Sequence, residues 1–223
     1  MKKRVILDDI NRELKEAGGS AELLAVSKNH AYKEIEEVFN LGQKKFGENR
    51  VQEILEKFPE SLPEGMKVHL IGHLQTNKVG KIVSIVSMIE SVDSFKLASK
   101  IDRECEKINK VMPVLFEINT SGDDNKTGYL EKVFFEDLEK LTELKNIEIC
   151  GLMTVGPLGG NEERNKQAFQ HLKEIQTKCR KLYPDVCFDS LSMGMSGDYK
   201  TALKEGSTEV RIGTAIFGGR KYD

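Results

Sequence analysis

Residues 22–41 read ELLAVSKNHAYKEIEEVFNL. The stretch is a short apolar run, Glu22 to Ser27, then a polar break, then a longer amphipathic segment, Tyr32 to Leu41. Such a run and such a segment are the marks of a strand and a helix. Read outward in both directions, this unit repeats in form though not in residues. Further strand candidates are Lys44–Phe46, Lys67–Ile71, Met88–Val92, Met112–Asn119, Ile147–Met153, Phe188–Met193 and Glu209–Ile212. Helix candidates between them are Glu48–Phe58, Thr76–Val86, Ser94–Ile108, Tyr129–Leu144, Glu162–Tyr183 and Asp198–Lys204. Ser94 and Asn161 stand at N-cap positions. A further helix, Val5 to Ala17, opens the chain, with Ile6, Ile10 and Leu14 four apart and Gly18-Gly19 as its stop. Eight strands alternating with helices imply parallel pairing through right-handed crossovers. The 223 residues allow about 28 per unit, enough for one compact (β/α)8 barrel over 1–223 with an extra N-terminal helix. An open doubly wound sheet is the alternative. The count of eight and the lack of a Pro/Gly/Ser-rich linker favour the barrel.

The charge balance is even, 34 Lys+Arg against 36 Asp+Glu, a net charge of −2. That disfavours a nucleic-acid binder with a basic face and a polybasic membrane anchor. No apolar run approaches the roughly 18 residues of a membrane span. Val5-Ile6-Leu7 is too short for the core of a signal peptide. Cys105, Cys150, Cys179 and Cys187 show no metal or redox spacing and fit isolated buried thiols in a reducing cytoplasm. Trp is absent and aromatics are 7%, which disfavours a base-stacking surface.

In such a barrel, functional residues gather where strands end. The strand-end segments are SKN, GEN, GHLQTNK, SVDS, NTSGDDNKTG, MTVGP, SMGMSGD and RIGT. The first offers Lys28. A lysine delivered to a barrel mouth from an apolar strand is partly desolvated, which lowers its pKa and frees an amine for Schiff-base formation; a plain surface lysine is the competing reading. The last two offer Ser192 to Gly197 and Gly213-Thr214, hydroxyls and glycines where barrels commonly bind phosphate. Arg211 lies between Val210 and Ile212 and must find a polar partner, in the mouth or outside it. His69 and His73 have metal-ligand spacing but no third ligand, and Asp123-Asp124-Asn125 lacks the rest of a calcium loop, so no metal is expected. No dinucleotide or P-loop sequence occurs, and Ser196 misses the G-x-S-x-G pattern by one position.

Six motifs then stand in one order: AVSK at Ala25–Lys28, FGENRVQE at Phe46–Glu53, HLIGHLQTNK at His69–Lys78, GLMTV at Gly151–Val155, LSMGMSGD at Leu191–Asp198 and EVRIGTAIFG at Glu209–Gly218. Together they make the chain resemble the pyridoxal phosphate homeostasis protein family from about Leu23 to Gly219. Val68 and Gly197 depart from the pattern without touching its anchors. The resemblance implies a fold-type III barrel like the barrel domain of alanine racemase. It implies pyridoxal 5′-phosphate (PLP) held as a Schiff base on Lys28, with its phosphate on Ser192, Gly213 and Thr214. It places Arg211 at the pyridine nitrogen and Asn49 beside the ring.

The function implied is intracellular PLP (vitamin B6) homeostasis by a carrier with little or no turnover and no catalytic residue of its own. PLP-accepting apo-enzymes are the partners it suggests, and no nucleic acid or membrane. An arginine at the ring nitrogen makes PLP a weak electron sink. Tyr32, Tyr129, Tyr183 and Tyr199 fall on helices or helix ends, and Tyr222 lies among the last residues. A second, tyrosine-donating domain such as racemases carry is not expected, so a monomer is. A PLP-dependent amino-acid racemase or lyase is the alternative, and a PLP-free Schiff-base aldolase a third.

Overall fold

The computed structural model describes residues 2–17, 21–59, 61–122, 127–157 and 159–218. The strands are β1 (Glu22–Val26), β2 (Lys45–Glu48), β3 (Lys67–Leu70), β4 (Met88–Val92), β5 (Met112–Glu117), β6 (Ile147–Met153), β7 (Ser190–Met195) and β8 (Glu209–Ile212). All pair in parallel and in sequence order, and β8 closes on β1 through Leu23↔Val210 and Leu24↔Arg211. The barrel is therefore the observed architecture, and the open sheet is not.

Alternation along each strand sorts side chains into two environments. Outward residues such as Phe46, Val68, Leu70, Phe116, Leu152, Leu191 and Val210 pack under the helices in one apolar cluster. The opposite faces point into the barrel, where Leu24 shares the space with charged and hydroxyl groups. Lys45 of β2 pairs there with Glu22 of β1, and its Nζ lies 3.5 Å from Glu209 of β8. His69, Glu90, Ser192, Glu209 and Arg211 are all buried. Barrel interiors are more often filled by branched apolar side chains.

The helices are α1 (Lys2–Glu16), α2 (Tyr32–Asn40), α3 (Val51–Lys57), α4 (Val79–Ile82), α5 (Phe95–Glu106), α6 (Glu131–Thr142), α7 (Glu162–Leu182), α8 (Tyr199–Lys204) and α9 (Thr214–Phe217). Ser94 and Asn161 do cap α5 and α7, accepting from Leu97 and Arg164 backbone N–H groups. The expected helix over Thr76–Val86 resolves into a 3-10 turn, Thr76–Lys78, and the single turn α4. The residues after β8 form the short α9, where no helix was expected. A single turn cannot cover β8 and β1. The N-terminal helix fills that place: Leu7, Ile10 and Leu14 are buried, Lys3 pairs with Glu37 of α2, and Glu13 accepts from Tyr199 of α8. The buried stripe thus runs through Leu7 rather than Ile6. Gly18-Gly19, Asp123-Asp124-Asn125 and Tyr222 lie outside the described residues.

Gly194 lets α8 close on β7. It sits at φ +95°, and a Cβ there would stand 2.6 Å from the Ala202 Cβ and 2.9 Å from the Tyr199 Cα. Overpacking typically costs about 1–3 kcal/mol and left-handed backbone for an L-residue about 1–2 more. Gly194→Ala is accordingly expected to lose about 3 kcal/mol, read as a lower urea midpoint at unchanged slope.

Candidate functional site

Lys28 rides on a turn just beyond β1, and that turn is clamped from beneath. Lys57 of α3 donates to the Ser27 carbonyl at 3.0 Å, to Glu48 at 2.8 Å and to Glu53 at 2.7 Å. Ser27 Oγ donates to the same Glu48 oxygen at 2.6 Å. Asn29, in left-handed backbone at φ 63°, donates its N–H to Glu53. Burial raises the Glu48 carboxyl above its ordinary range, although the Lys57 charge pulls the other way. Lys28 is thereby fixed at a defined height above the barrel.

Asn49 follows β2 and is wedged by the next loop. A Cβ on Gly72 would lie 2.2 Å from the Asn49 carbonyl oxygen, so only glycine permits that approach. The Asn49 Oδ1 is buried and has no hydrogen-bond partner among the described residues. A buried acceptor left open in this way awaits a donor.

Arg211 is 4% exposed, and its guanidinium donates from Nη1 to the Ser192 carbonyl and Oγ at 2.7 and 2.8 Å. Its Nη2 donates to the Thr154 carbonyl at 2.7 Å. Ser192 Oγ donates to Glu90 at 2.7 Å and stands 3.2 Å from Glu209. The other Glu90 oxygen is 2.7 Å from His69 Nδ1. Burial alone would raise the Glu90 carboxyl, but His69, Arg211 and Ser192 together hold it below its ordinary value. Glu209 is pushed well up, first by burial and then by the Glu90 charge. The network therefore favours the charge on Glu90 over a charge on Glu209.

These elements meet at a cavity of about 400 Å³ at the C-terminal ends of the strands, of a size for a small organic ligand. Lys28, Asn49, Arg211, Gly213 and Thr214 line it, as do Val26, His30, Ile71, Val155, Met195, Ser196, Gly197 and Gly218. Among the described residues the wall carries two basic side chains, Lys28 and Arg211, and no carboxylate, which suits a dianionic ligand. A Cβ on Gly213 would come within 2.8 Å of the Val26 carbonyl, so this loop too closes against β1 only as glycine.

Ser192 is the exception among the expected residues. Its side chain is fully buried below the cavity, committed to Arg211 and Glu90, while Ser196 reaches the wall instead. The strand is the reason: β7 continues through Gly194 to Met195, so Ser192 points into the sheet interior and Ser196 stands past its end. His30 was not singled out in the sequence. Its ring stacks on Phe217 at 4.9 Å, and its Nδ1 is 3.3 Å from Glu34. Glu90 was not singled out either, since one carboxylate in MIESV carries no spacing signal.

The chain matches the alanine racemase N-terminal domain family over residues 6–221. It is 40% identical over 220 residues to the pyridoxal phosphate homeostasis protein of Aquifex aeolicus (strain VF5), covering 97% of this chain and 96% of that one. It belongs to the pyridoxal phosphate homeostasis protein family. The Mus musculus protein of that name is 41% identical over 212 residues, covering 90% of this chain and 77% of its own length. PipY of Synechococcus elongatus PCC7942, solved with PLP bound, superposes with a TM-score of 0.90 at 33% identity, covering 97% of this chain and 100% of that one. An alanine racemase of Clostridium difficile shares the fold, with a TM-score of 0.76 at 16% identity over 58% of its length.

Within this family member, His69 and His73 face different partners. His69 is bonded to Glu90, and His73 is 3.0 Å from Asp93. His69, Glu90 and Glu209 do bring ligand atoms within 4.8 Å of one another. Lys45 and Arg211 already supply positive charge there, which opposes a divalent cation. Cys105 and Cys179 are buried, and burial pushes the Cys179 thiol up to about 12; Cys187 is exposed, contrary to expectation. Among the described residues no helix is long and apolar enough to cross a membrane.

The Glu209 carboxyl offers a test. Its pKa is raised in the fold, so the unfolded chain ionises first, near the ordinary value of 4.5. Stability from this group is complete below that pH and is lost as pH rises toward the folded value. Glu209→Gln mimics the protonated form. It should therefore gain melting temperature relative to wild type between pH 5 and pH 8, with the gain growing with pH.

Proposed function

We propose that the protein binds PLP in the cavity above β1, β2, β7 and β8, joined through a Schiff base to Lys28, and serves intracellular PLP homeostasis as a monomer with little or no turnover. The observation that carries this reading is the convergence of Lys28, Asn49, Arg211, Gly213 and Thr214 on one cation-lined space. The names of the relatives and the PLP-bound PipY structure support the same ligand.

PLP supplies an aldehyde for an amine and a ring that withdraws electrons. Lys28 provides the amine. Ser196, Gly213 and Thr214 stand together on the wall as the phosphate end. Asn49 has an open buried acceptor for a donor on the ligand. Arg211 faces the cavity from β8, its guanidinium held in place by the Ser192 and Thr154 carbonyls. A fixed cation at the ring nitrogen disfavours its protonation, which leaves the ring a poor sink for electrons. Binding without strong activation is what a carrier needs. Of the described tyrosines none lines the cavity, and Tyr199 is turned to Glu13. Cofactor handed on to PLP-accepting apo-enzymes is the role that follows.

Purified protein with PLP is expected to show a visible band that borohydride fixes on Lys28, and Lys28→Ala to lose both while keeping its circular dichroism. The same wild-type sample should exchange the α-proton of common amino acids into deuterated solvent far more slowly than about 1 per second, an ordinary enzymatic rate. A main adduct on another lysine, or exchange at that rate, contradicts the reading.

Thr214→Val tests the phosphate end. A hydrogen bond to a charged group contributes roughly 1.5–3 kcal/mol, so PLP should bind about ten- to hundredfold more weakly. Pyridoxal, lacking the phosphate, should bind almost unchanged. Equal losses for the two ligands would place the phosphate elsewhere.

A further inference from the structure

Lys28 and Asn49 also line a second, smaller cavity of about 130 Å³. Its other walls are Asn29, Arg50 and Glu53. Unlike the larger cavity, it has both a basic side chain, Arg50, and an acidic one, Glu53, on its wall with Lys28. Arg50 is exposed, and its guanidinium makes no ion pair or hydrogen bond among the described residues. Glu53 is oriented: its Oε1 takes the Asn29 N–H and the Lys57 ammonium, and its Oε2 is uncommitted. Asn29 holds left-handed backbone to make that bond, so the wall is preset.

We infer that this pocket is a subsite for the zwitterion of a small α-amino acid, with Arg50 taking its carboxylate and Glu53 its ammonium. The inference rests on the proposal that Lys28 carries PLP. Arginine binds a carboxylate through two parallel hydrogen bonds, and an uncommitted guanidinium is free to do so. The volume equals about four waters at roughly 30 Å³ each, so it admits the charged end of an amino acid, with the side chain left outside it. Placed there, the ammonium lies next to the carbon that Lys28 holds.

The amino acid releases the cofactor from its lysine by exchange. With the imine nitrogen carrying one proton before and after the exchange, the amino acid's ammonium gives up two protons, and its nitrogen bonds to that carbon. The bond from the carbon to Lys28 Nζ breaks, and both protons finish on Lys28 as an ammonium. Nothing is oxidised or reduced and no co-reactant is consumed. The pocket thus makes cofactor discharge responsive to small amino acids, not to amines in general.

The test uses the PLP-loaded protein with two probes, L-alanine and ethylamine, compared at equal concentrations of free amine. Wild type should lose its Lys28 band roughly ten- to hundredfold faster with L-alanine, the range of a charged hydrogen bond. Arg50→Ala should bind PLP normally and react with ethylamine as before, but lose the preference for L-alanine; Arg50→Lys should retain part of it. A second readout needs no cofactor: saturation-transfer NMR of L-alanine on cofactor-free protein, with signal in wild type and none in Arg50→Ala. Equal rates for the two amines in wild type, or a preference surviving in Arg50→Ala, overturns the subsite. If no visible band forms at all, the PLP reading fails by itself. The NMR comparison then decides the subsite, supporting it if Arg50→Ala abolishes the signal and rejecting it if the signal is unchanged.

Discussion

A buried guanidinium organises this barrel. Arg211 lies inside β8 with almost no contact with water, and an uncompensated charge in that position would cost several kcal/mol or more. Compensation comes from three neighbouring strands and the segment after a fourth. The Ser192 carbonyl and hydroxyl of β7 and the Thr154 carbonyl after β6 receive its hydrogens. The Ser192 hydroxyl passes the connection to the Glu90 carboxylate of β4, and Glu90 to His69 of β3. Apart from the two backbone carbonyls, every link is between side chains pointing into the barrel. A slip of one residue in any of these strands would turn its group outward and leave its partner unpaired. The network therefore sets register as well as charge. It also explains why two carboxylates can lie side by side at the centre: the surroundings lower Glu90 and raise Glu209, so the charge favours Glu90, and Lys45 lies near Glu209.

The Lys28 turn is governed by a separate ionic device, and the two do not share residues. Lys57 holds the Ser27 carbonyl, Glu48 and Glu53 at once, so α3 dictates where the turn after β1 sits. Arg211 is positioned by the strands and Lys28 by a helix. The cavity is the gap left between two independently braced cations. A ligand bearing two negative charges suits a wall that carries these two basic side chains.

How much of this was legible depended on whether a residue's neighbours lay along the chain or across the sheet. The eight strands and most helices were readable because alternating apolar runs and amphipathic segments are local patterns. Lys28 and Gly213-Thr214 were readable because a barrel gathers strand ends, so chain position alone puts them on one rim; position left Arg211 open between the mouth and the outside, and only the family resemblance put it in the site. Ser192 was misplaced by two residues of strand. SLSMGMSG holds serines at 192 and 196, and Gly194 looked like the end of β7, whereas the strand runs on to Met195. Glu90 and Glu209 gave no signal, since each is a single acid in a short strand. Only closure of the barrel brings them to one serine. His30 belonged to a turn with no pattern of its own, and Arg50 carried no signal beyond its place in the FGENRVQE motif.

The N-terminal helix shows why a part of the fold far in sequence from the rim still bears on it. After β8 the chain has only the single turn α9 before Gly218, too short to cover the seam between β8 and β1. α1 supplies the missing cover and so becomes the support of α9. Lys3 of α1 lies 5.9 Å from the Phe217 ring centre, and Phe217 stacks on His30, which lines the cavity. Thr214 begins the same turn that Phe217 ends. Movement of α1 off the seam would therefore loosen His30 and Thr214 together, one from each side of the cavity. Arg211 would stay fixed, because its partners lie in β7, β4 and the end of β6, none of which α1 holds. The side of the cavity formed after β1 and β8 is thus the adaptable one, braced by one helix, and the side formed by β7 and the barrel interior is the rigid one, braced by closure of the sheet itself.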